Sequence, residues 1–412
     1  MVSTRASRRT LLKAAVAIIL GSIAGLLILE VLLRVFLPIR SLAVGTTDTS
    51  TASNAAIYGW GFGPGDEIRQ KDPDTGESFS AKANSGGWKD VEHPLKKKDG
   101  TVRILIVGDS QTFGFVPLKS IYPRVLEELL IGAGYNAEVM SMGYGGWSTD
   151  QELVALKRSG LAFEPDIVIS QFDTNDLTEN LALGGIEVQK PFRFYVENGE
   201  LKMRDMPPPP PSRLKNLLFK SYLMFYLNNA RWMLMDQMNQ FRTKNKKQNT
   251  AKTNDANIPG RNPNGPYFVF HLSQQGDPGI ERAWSLYEKL IGEMKRSAEQ
   301  KQAIFVLFNG VEKGVLVWAK HFGRITEDET GHDAILWDGK FYPIYFYRHV
   351  DRLKDMSERI GAAIIPNTRT YTRFVNDAHA NMEGNRRMAE DIFDFLMANE
   401  ETSRVLRKAR SR

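Results

Sequence analysis

The chain contains the stretch VRILIVGDSQTFG at residues 102–114. Its first six residues are almost wholly apolar, and a short apolar run that ends at a glycine predicts a buried strand. Gly108, Asp109 and Ser110 follow at once, so Ser110 is expected on a tight turn between this strand and a helix. A serine on such a turn has an exposed hydroxyl and a free backbone N–H, which suits a nucleophile that also stabilises an oxyanion. Asp and Ser also cap helices routinely, so the turn alone does not show that Ser110 is a nucleophile.

Downstream of this stretch, short apolar runs alternate with segments of helical periodicity. Strands are predicted at residues 137–142, 165–171, 303–308 and 362–366, and helices at 121–133, 149–160, 281–300, 346–361 and 384–398. Strands that alternate with helices predict a parallel sheet that is covered by helices on both faces. The predicted fold class is therefore α/β.

The composition of the 412 residues excludes several kinds of site. The sequence has no cysteine, which excludes disulfides, thiol catalysis, thiolate zinc sites and iron–sulfur clusters. The net charge of +6 comes from the ends, with six basic residues and one acidic residue in 1–40 and five basic residues in 404–412. The chain between them carries 43 basic and 47 acidic residues. A nucleic-acid-binding body shows a basic excess, so no nucleic-acid partner is expected.

The N-terminus has the pattern of a membrane anchor. Residues 14–37 are apolar and long enough to span a bilayer as a helix. Glu30 and Arg34 interrupt them at a spacing that allows pairing on one helix face. The basic segment 1–13 precedes the helix, so the positive-inside rule places the N-terminus in the cytoplasm. The rest of the chain is then extracytoplasmic, in the periplasm or at the cell surface.

A cleaved signal peptide is the alternative to an uncleaved anchor. Its apolar region usually has about 7–15 residues, fewer than are present here. Residues 7–13, SRRTLLK, also resemble a twin-arginine export signal. Either route places the body of the chain outside the cytoplasm.

Changes in composition divide the rest of the chain. Residues 38–100 are interpreted as a linker and N-terminal extension, 101–400 carry the strand–helix pattern, and 401–412 form a basic tail. Residues 185–275 break the pattern with a proline run and the apolar segment 214–241. They are interpreted as an insertion, either an extra helix packed on the core or a lid or membrane-surface helix.

Three more segments carry reactive residue types near predicted strand ends or before the last helix. In open parallel sheets, ligands bind at the carboxyl ends of the strands. The glycine-rich loop 143–149 follows the second strand, and Asn175 follows the third, where its amide can donate to an oxyanion. His379, in the segment NDAHANMEG at 376–384, can act as a general base toward Ser110. Alone, each is more simply a turn, a helix cap or an incidental loop histidine.

Together these segments resemble the SGNH hydrolases, also called GDSL esterases and lipases, over about residues 100–398. The segment ANSGGWKD at 83–90 resembles the lead-in of membrane-anchored bacterial members. The resemblance implies a three-layer α/β/α sandwich around a five-stranded parallel sheet, of the flavodoxin-like type. It also implies Ser110 as nucleophile, His379 as base, and an oxyanion hole of the Ser110 and Gly146 N–H groups with the Asn175 side chain. No metal or other cofactor is expected, because the spacing of His321, His332 and His349 matches no metal-ligand pattern and the sequence has no phosphate-binding loop.

Two positions depart from the family pattern. The family has glycine two residues before the asparagine of the third block, where this chain has Asp173. The family's orienting aspartate stands three residues before the histidine, where this chain has Asn376, and Asp377 stands two before it. An asparagine can orient an imidazole but adds no charge. Asp377, Asn376 or neither of them is therefore the partner of His379.

The leading hypothesis is an outward-facing, membrane-anchored serine esterase that forms an acyl-enzyme on Ser110. Its expected substrate is an O-acetyl ester on an envelope carbohydrate, with a lipid ester as the next choice. One alternative is an O-acyltransferase that passes the acyl group to a polysaccharide. The other is a catalytically degenerate glycan-binding protein, which the departure at Asn376 favours.

Overall fold

The computed structural model describes most of the chain in separate stretches. They are residues 3–36, 53–173, 175–181, 190–206, 221, 223–224, 278–312, 326–327, 330–337, 340–343 and 347–410. The chain divides into two compact units, Met1–Leu42 with Pro209–Ala251 and Ala43–Pro208 with Lys252–Arg412.

Helices and strands alternate through most of the larger unit. In chain order the helices are α1 Ser3–Phe36, α2 Ser53–Tyr58, α3 Ser110–Phe113, α4 Tyr122–Gly132, α5 Thr149–Arg158, α6 Asn175–Glu179, α7 Pro278–Glu299, α8 Arg348–Ile360, α9 Met382–Ala398 and α10 Glu400–Lys408. The strands are β1 Glu67–Lys71, β2 Ser78–Lys82, β3 Val102–Gly108, β4 Ala137–Gly143, β5 Ile167–Phe172, β6 Phe192–Glu197, β7 Glu200–Asp205, β8 Ile304–Asn309, β9 Thr326–Glu327, β10 Asp333–Trp337, β11 Lys340–Pro343 and β12 Ala363–Ile365.

Five parallel strands form the central sheet, in the spatial order β12-β8-β5-β3-β4. β3 lies next to the edge strand β4 and pairs with it from Val102 opposite Ala137 to Gly108 opposite Gly143. Its other edge pairs with β5. Numbered along the chain, the order is 2-1-3-4-5, the flavodoxin-like arrangement. The structure thus confirms the predicted five-stranded parallel sheet.

Helices cover both faces of this sheet, because successive side chains of a strand point to opposite faces. Ile104 and Ile106 pack with residues of α4, α9 and α10. Leu105 and Val107 pack with residues of α5, α7 and α8. All four side chains are fully buried. The result is the three-layer sandwich. The segments that follow β3, β4 and β5 all lie at the carboxyl ends of the parallel strands.

Residues 53–90 belong to the core of the larger unit, although their polar and glycine-rich composition favours a linker. Tyr58, Trp60 and Trp88 are buried in the same cluster as α5 and α7. β1 and β2 form an antiparallel hairpin with Glu67 opposite Lys82. The sequence does not predict this hairpin because both strands are short and largely exposed.

The C-terminus also differs from its prediction. The structure has helix α10 where a basic tail is expected over 401–412, and Leu406 of this helix is fully buried. The backbone N–H of Asn136 donates to the carbonyl of Ala409 at 2.8 Å. The sequence does not predict α10, because few residues of this helix are apolar.

The predicted insertion 185–275 is described only in part. Residues 190–206 contain the antiparallel hairpin β6–β7, with Phe192 opposite Asp205. The apolar segment 214–241 lies outside the described residues, apart from 221 and 223–224. A separate antiparallel sheet consists of β9, β10 and β11.

In the smaller unit, α1 includes Leu12–Phe36, which is long and apolar enough to cross a membrane by length and composition. Arg34 Nη2 lies 2.7 Å from Glu30 Oε1, the pairing that their spacing predicts. The other oxygen of Glu30 accepts from Ser221 Oγ and from the Leu223 backbone N–H, both at 2.8 Å. This carboxylate within the apolar part of α1 is thus stabilised by protein donors.

Candidate active site

The turn after β3 holds Ser110 at the first position of α3. The Asp109 carboxylate caps this helix by accepting from the Gln111 backbone N–H at 2.8 Å. Gly108 is required because a Cβ atom there would lie 2.1 Å from Thr112 Oγ1. Only glycine allows this approach of backbone to a neighbouring side chain. The close packing fixes the backbone from which the half-buried Ser110 projects.

Ser110, His379 and Asp377 form a continuous hydrogen-bond chain. His379 Nε2 lies 2.8 Å from Ser110 Oγ, and His379 Nδ1 is hydrogen-bonded to Asp377 Oδ1. The same carboxylate oxygen accepts from the His379 backbone N–H at 2.9 Å. This network assigns the proton to Nδ1 and leaves Nε2 to accept from the serine hydroxyl. The arrangement can deprotonate Ser110 during attack on a carbonyl.

Asn376, the other candidate partner, lies next to this chain and has different contacts. Its side-chain Nδ2 donates to Asp74 Oδ1 at 3.2 Å, and its backbone N–H donates to the same oxygen at 2.8 Å. Of the two candidates that the sequence left open, the structure brings Asp377 to His379 and Asn376 to the β1–β2 hairpin.

The surroundings of Asp377 favour its charged form. Burial raises the pKa of this carboxyl, but its hydrogen bonds with His379, the charge of His379 when that ring is protonated, and the positive charge of Arg373 together outweigh burial. The net result is a pKa below the ordinary aspartate value. An ionised Asp377 can therefore stabilise the imidazolium that forms when His379 takes a proton.

Two residues at the site were not predicted from the sequence. The ring of Phe115 lies 4.2 Å from the His379 ring, centroid to centroid. Buried Arg373 donates to the carbonyl of Ala378, directly before the histidine. Phe115 lies five residues after Ser110 and directly after Gly114, and this position in the sequence only weakly indicates a role at the site. Nothing in the sequence indicates a role for Arg373 at the site, because a loop arginine is normally solvent-exposed.

The candidate oxyanion donors lie on segments that contact one another. Gly146, with a φ of 74°, is in the loop after β4, and Asn175 begins α6. Asn175 Nδ2 donates to Trp147 O at 2.8 Å and to Glu179 Oε2 at 3.0 Å. Both amide hydrogens are thus engaged, so donation to an oxyanion requires Asn175 to release one of these acceptors.

A group of buried carboxylates lies behind the nucleophile turn. Asp109, Glu152 and Asp176 are each at most 1% exposed. Burial is the main cause that raises the pKa of all three. Repulsion from neighbouring carboxylates adds to it, from Asp176 in the case of Asp109 and Glu152 and from Asp173 in the case of Asp176. For Asp176 the pKa is about 7. Asp173, the departure from the family pattern, donates its backbone N–H to Asp176 at 2.9 Å.

A cavity of about 660 Å³ lies elsewhere, between α5, the β6–β7 hairpin and α7. Its lining includes Leu153, Phe194 and Lys289 but none of Ser110, His379 and Asp377. Its position therefore gives no information about the substrate of the site at Ser110.

No family model matches the sequence, and no curated protein matches it. Among solved structures, the chain is similar to TesA at 12% identity, with a TM-score of 0.35 over 71% of this chain and 97% of that one. A lipase/acylhydrolase from Enterococcus faecalis is 10% identical, with a TM-score of 0.34 over 72% and 95%. A GDSL-like lipase from Bacteroides thetaiotaomicron is 12% identical, with a TM-score of 0.28 over 71% and 86%. These likenesses are too distant to assign an activity.

Proposed function

We propose that the chain is a serine ester hydrolase of the SGNH type, with Ser110 as its nucleophile. The observation that supports this most is the hydrogen-bond chain from Ser110 through His379 to Asp377. A nucleophile within reach of a base, and a third group that orients the base, is the arrangement that activates a hydroxyl for acyl transfer.

In the proposed reaction, Ser110 Oγ attacks the ester carbonyl carbon while His379 Nε2 takes the hydroxyl proton. Asp377 stabilises the resulting imidazolium. The tetrahedral oxyanion accepts from the N–H groups of Ser110 and Gly146 and from the amide of Asn175. His379 returns its proton to the leaving alcohol, and an acyl-enzyme remains. Water then attacks the acyl-enzyme while His379 takes one of its protons. His379 passes this proton to Ser110 Oγ as the bond to the acyl carbon breaks, which releases the acid and restores free Ser110.

The proposed substrate is an O-acetyl ester on an envelope carbohydrate. Support comes from the apolar part of α1, Leu12–Phe36, which has the length and composition of an anchor, and from the basic residues at the N-terminal end of the same helix. The positive-inside rule then leaves the catalytic unit facing the periplasm or the cell surface, the compartment that holds envelope glycans. A reporter that is active only in the cytoplasm, fused after residue 50, should be silent. An active reporter would contradict this location.

The test of the activity uses the full-length chain in detergent. Hydrolysis of an aryl acetate is compared between wild type, Ser110→Ala, His379→Ala and the matched control Ser85→Ala. Loss of Ser110 or His379 should cost on the order of 10⁶-fold in kcat, as for other serine triads, and Ser85→Ala should keep wild-type activity. Undiminished hydrolysis by Ser110→Ala would contradict the proposal.

A second assay uses an acetylated glycan as the substrate. It identifies both the substrate class and the molecule that accepts the acyl group. Free acetate as the product indicates a hydrolase, and acetyl on an added polysaccharide indicates an acyltransferase. Hydrolysis of a lipid ester in preference to the glycan would replace the carbohydrate assignment. A wild-type chain that neither turns over esters nor reacts with a fluorophosphonate at Ser110 would favour a glycan-binding role.

A further inference from the structure

The β1–β2 hairpin contacts the loop that carries Asp377 and His379. Asp74, on the turn of the hairpin, accepts from the backbone N–H groups of Val375 and Asn376, both at 2.8 Å. The Asn376 side chain adds a third donor to this carboxylate. Because Asn376 directly precedes Asp377, these bonds fix the backbone from which the catalytic carboxylate projects.

The same extension contacts the loop that follows Ser110. Lys89 is 2% exposed, and its Nζ donates to the carbonyls of Gly114 and Val116, both at 2.8 Å. Gln70, on β1, accepts from Lys89 Nζ at 2.5 Å and donates to the Gly114 carbonyl at 3.0 Å. Lys89 thus has one acceptor for each of its three N–H bonds.

The loop held by Lys89 is joined directly to the catalytic residues. Gly114 donates its backbone N–H to the carbonyl of Ser110 at 2.9 Å, and Phe115 packs against the His379 ring. Burial lowers the pKa of the Lys89 amine to about 7, so placing a lysine here is unfavourable by itself. The three acceptors of Lys89 lie on β1 and on the loop after α3, so these hydrogen bonds together favour one position of that loop relative to β1.

We propose that the β1–β2 hairpin and Lys89 form a positioning element that sets Ser110 and His379 at reacting distance. Asp74, Gln70 and Lys89 are its positioning residues, and the inference rests on the proposed function. Ser110 and His379 lie 269 residues apart in the chain and share a single direct hydrogen bond. One rigid element bound to both loops keeps that bond aligned before substrate arrives, which is the condition for efficient attack.

The first experiment compares Asp74→Ala, Asp74→Asn and the matched control Glu77→Ala in the full-length chain. Glu77 stands on the same turn and is exposed, and its hydrogen bonds to Asp72 and Thr75 of its own hairpin are made by its backbone N–H and carbonyl groups. The rate of inactivation by a fluorophosphonate reports the reactivity of Ser110 whatever the natural substrate is. We expect Asp74→Ala to slow this rate by roughly 10- to 100-fold, as for a small misplacement of reacting groups. Asp74→Asn keeps one acceptor oxygen, so its rate of inactivation should fall less than that of Asp74→Ala.

The second experiment compares Lys89→Met with Lys82→Met, an exposed lysine of the same extension. Lys89→Met should lower kcat for the aryl acetate while KM changes little, and Lys89→Arg should recover part of kcat. The low-field proton signal of the His379–Asp377 hydrogen bond should shift or broaden in Lys89→Met and Asp74→Ala but not in the two controls. A purely structural role would lower the melting temperature and leave kcat and this signal unchanged.

The outcomes separate this inference from the proposed function. A wild-type chain that does not react with the fluorophosphonate overturns the proposed function. A reactive wild type whose folded Asp74→Ala variant reacts at the same rate overturns the positioning element. If Lys89→Met does not fold, Asp74→Ala still decides, because Asp74 is an exposed residue whose loss leaves the core intact.

Discussion

Asp377 and Asn376 are adjacent in the sequence, and their side chains have different partners. Asp377 contacts His379, whereas Asn376 contacts Asp74. In a serine triad, Asp→Asn costs about 10⁴-fold because the imidazole adopts the wrong tautomer. We therefore expect Asp377→Asn to lower kcat by roughly 10³- to 10⁴-fold. Asn376→Ala keeps both backbone donors to Asp74 and should cost far less. Steady-state kinetics with the aryl acetate measure both, and equal losses would contradict the assignment of Asp377.

Glu152 is a buried carboxylate on α5 whose protonation should link stability to pH. Burial, and then the charges of neighbouring carboxylates, raise its pKa well above the ordinary value of 4.5. The folded chain therefore keeps a proton that the unfolded chain loses above about pH 4.5, so the free energy of unfolding falls as pH rises through this range. The titratable groups around Glu152 are Asp109, Asp150, Asp176, Tyr122 and Tyr287.

Glu152→Gln should remove the part of this dependence that Glu152 contributes, because glutamine has the shape of protonated glutamate and binds no proton. Asp109 and Asp176 keep their own contributions. The variant should match wild type near pH 4 and exceed it at pH 8, by about 1.4 kcal/mol for each unit by which the pKa is raised. Urea unfolding at several pH values measures the difference, with exposed Glu128→Gln as control. A variant that is no more stable than wild type at pH 8 would contradict the raised pKa of Glu152.

Helix α10 provides a test of secondary structure that composition alone does not predict. Leu406 is fully buried and belongs to the cluster that includes α4 and α9. Leu406→Ala should lower the free energy of unfolding by about 2–5 kcal/mol, the usual range for a buried leucine. Arg404→Ala removes only an exposed ion pair with Glu400, so it should cost about 0–1 kcal/mol. If residues 401–412 were a free tail, urea unfolding would show no difference between these variants.

The contact between α1 and the predicted insertion joins two parts of the chain that lie 191 residues apart. The absence of cysteine in the native sequence allows a clean cross-linking test. With Glu30→Cys and Ser221→Cys together, a short bifunctional thiol reagent should link the two positions in native membranes, because their side-chain oxygens are 2.8 Å apart. Mass spectrometry identifies the linked peptides. Val16→Cys with Ser221→Cys is the control, and equal linking in both pairs would mean that the contact is not specific.

Several features of the chain could be predicted from the sequence alone. The strands of a buried parallel sheet are continuous apolar runs, so β3, β4, β5 and β8 were predicted close to their observed bounds. Ser110 followed from its place after β3. His379, 269 residues away, was assigned through the family resemblance, because nothing local distinguishes a catalytic loop histidine from an ordinary one.

Other features depend on contacts between distant parts of the chain. Asn376 and Asp377 are both close enough in sequence to reach His379, and the choice between them follows from the backbone of their loop, which Asp74 holds from 302 residues away. The hairpin β1–β2 and helix α10 have too few apolar residues for a periodic signal. The burial of Ile68, Gln70 and Leu406 depends on surfaces that exist only after the sheet and its helices have packed. Sequence patterns therefore determine the layers of this protein, and tertiary packing determines which polar groups meet at its site, because hydrogen-bond partners depend on position and not on periodicity.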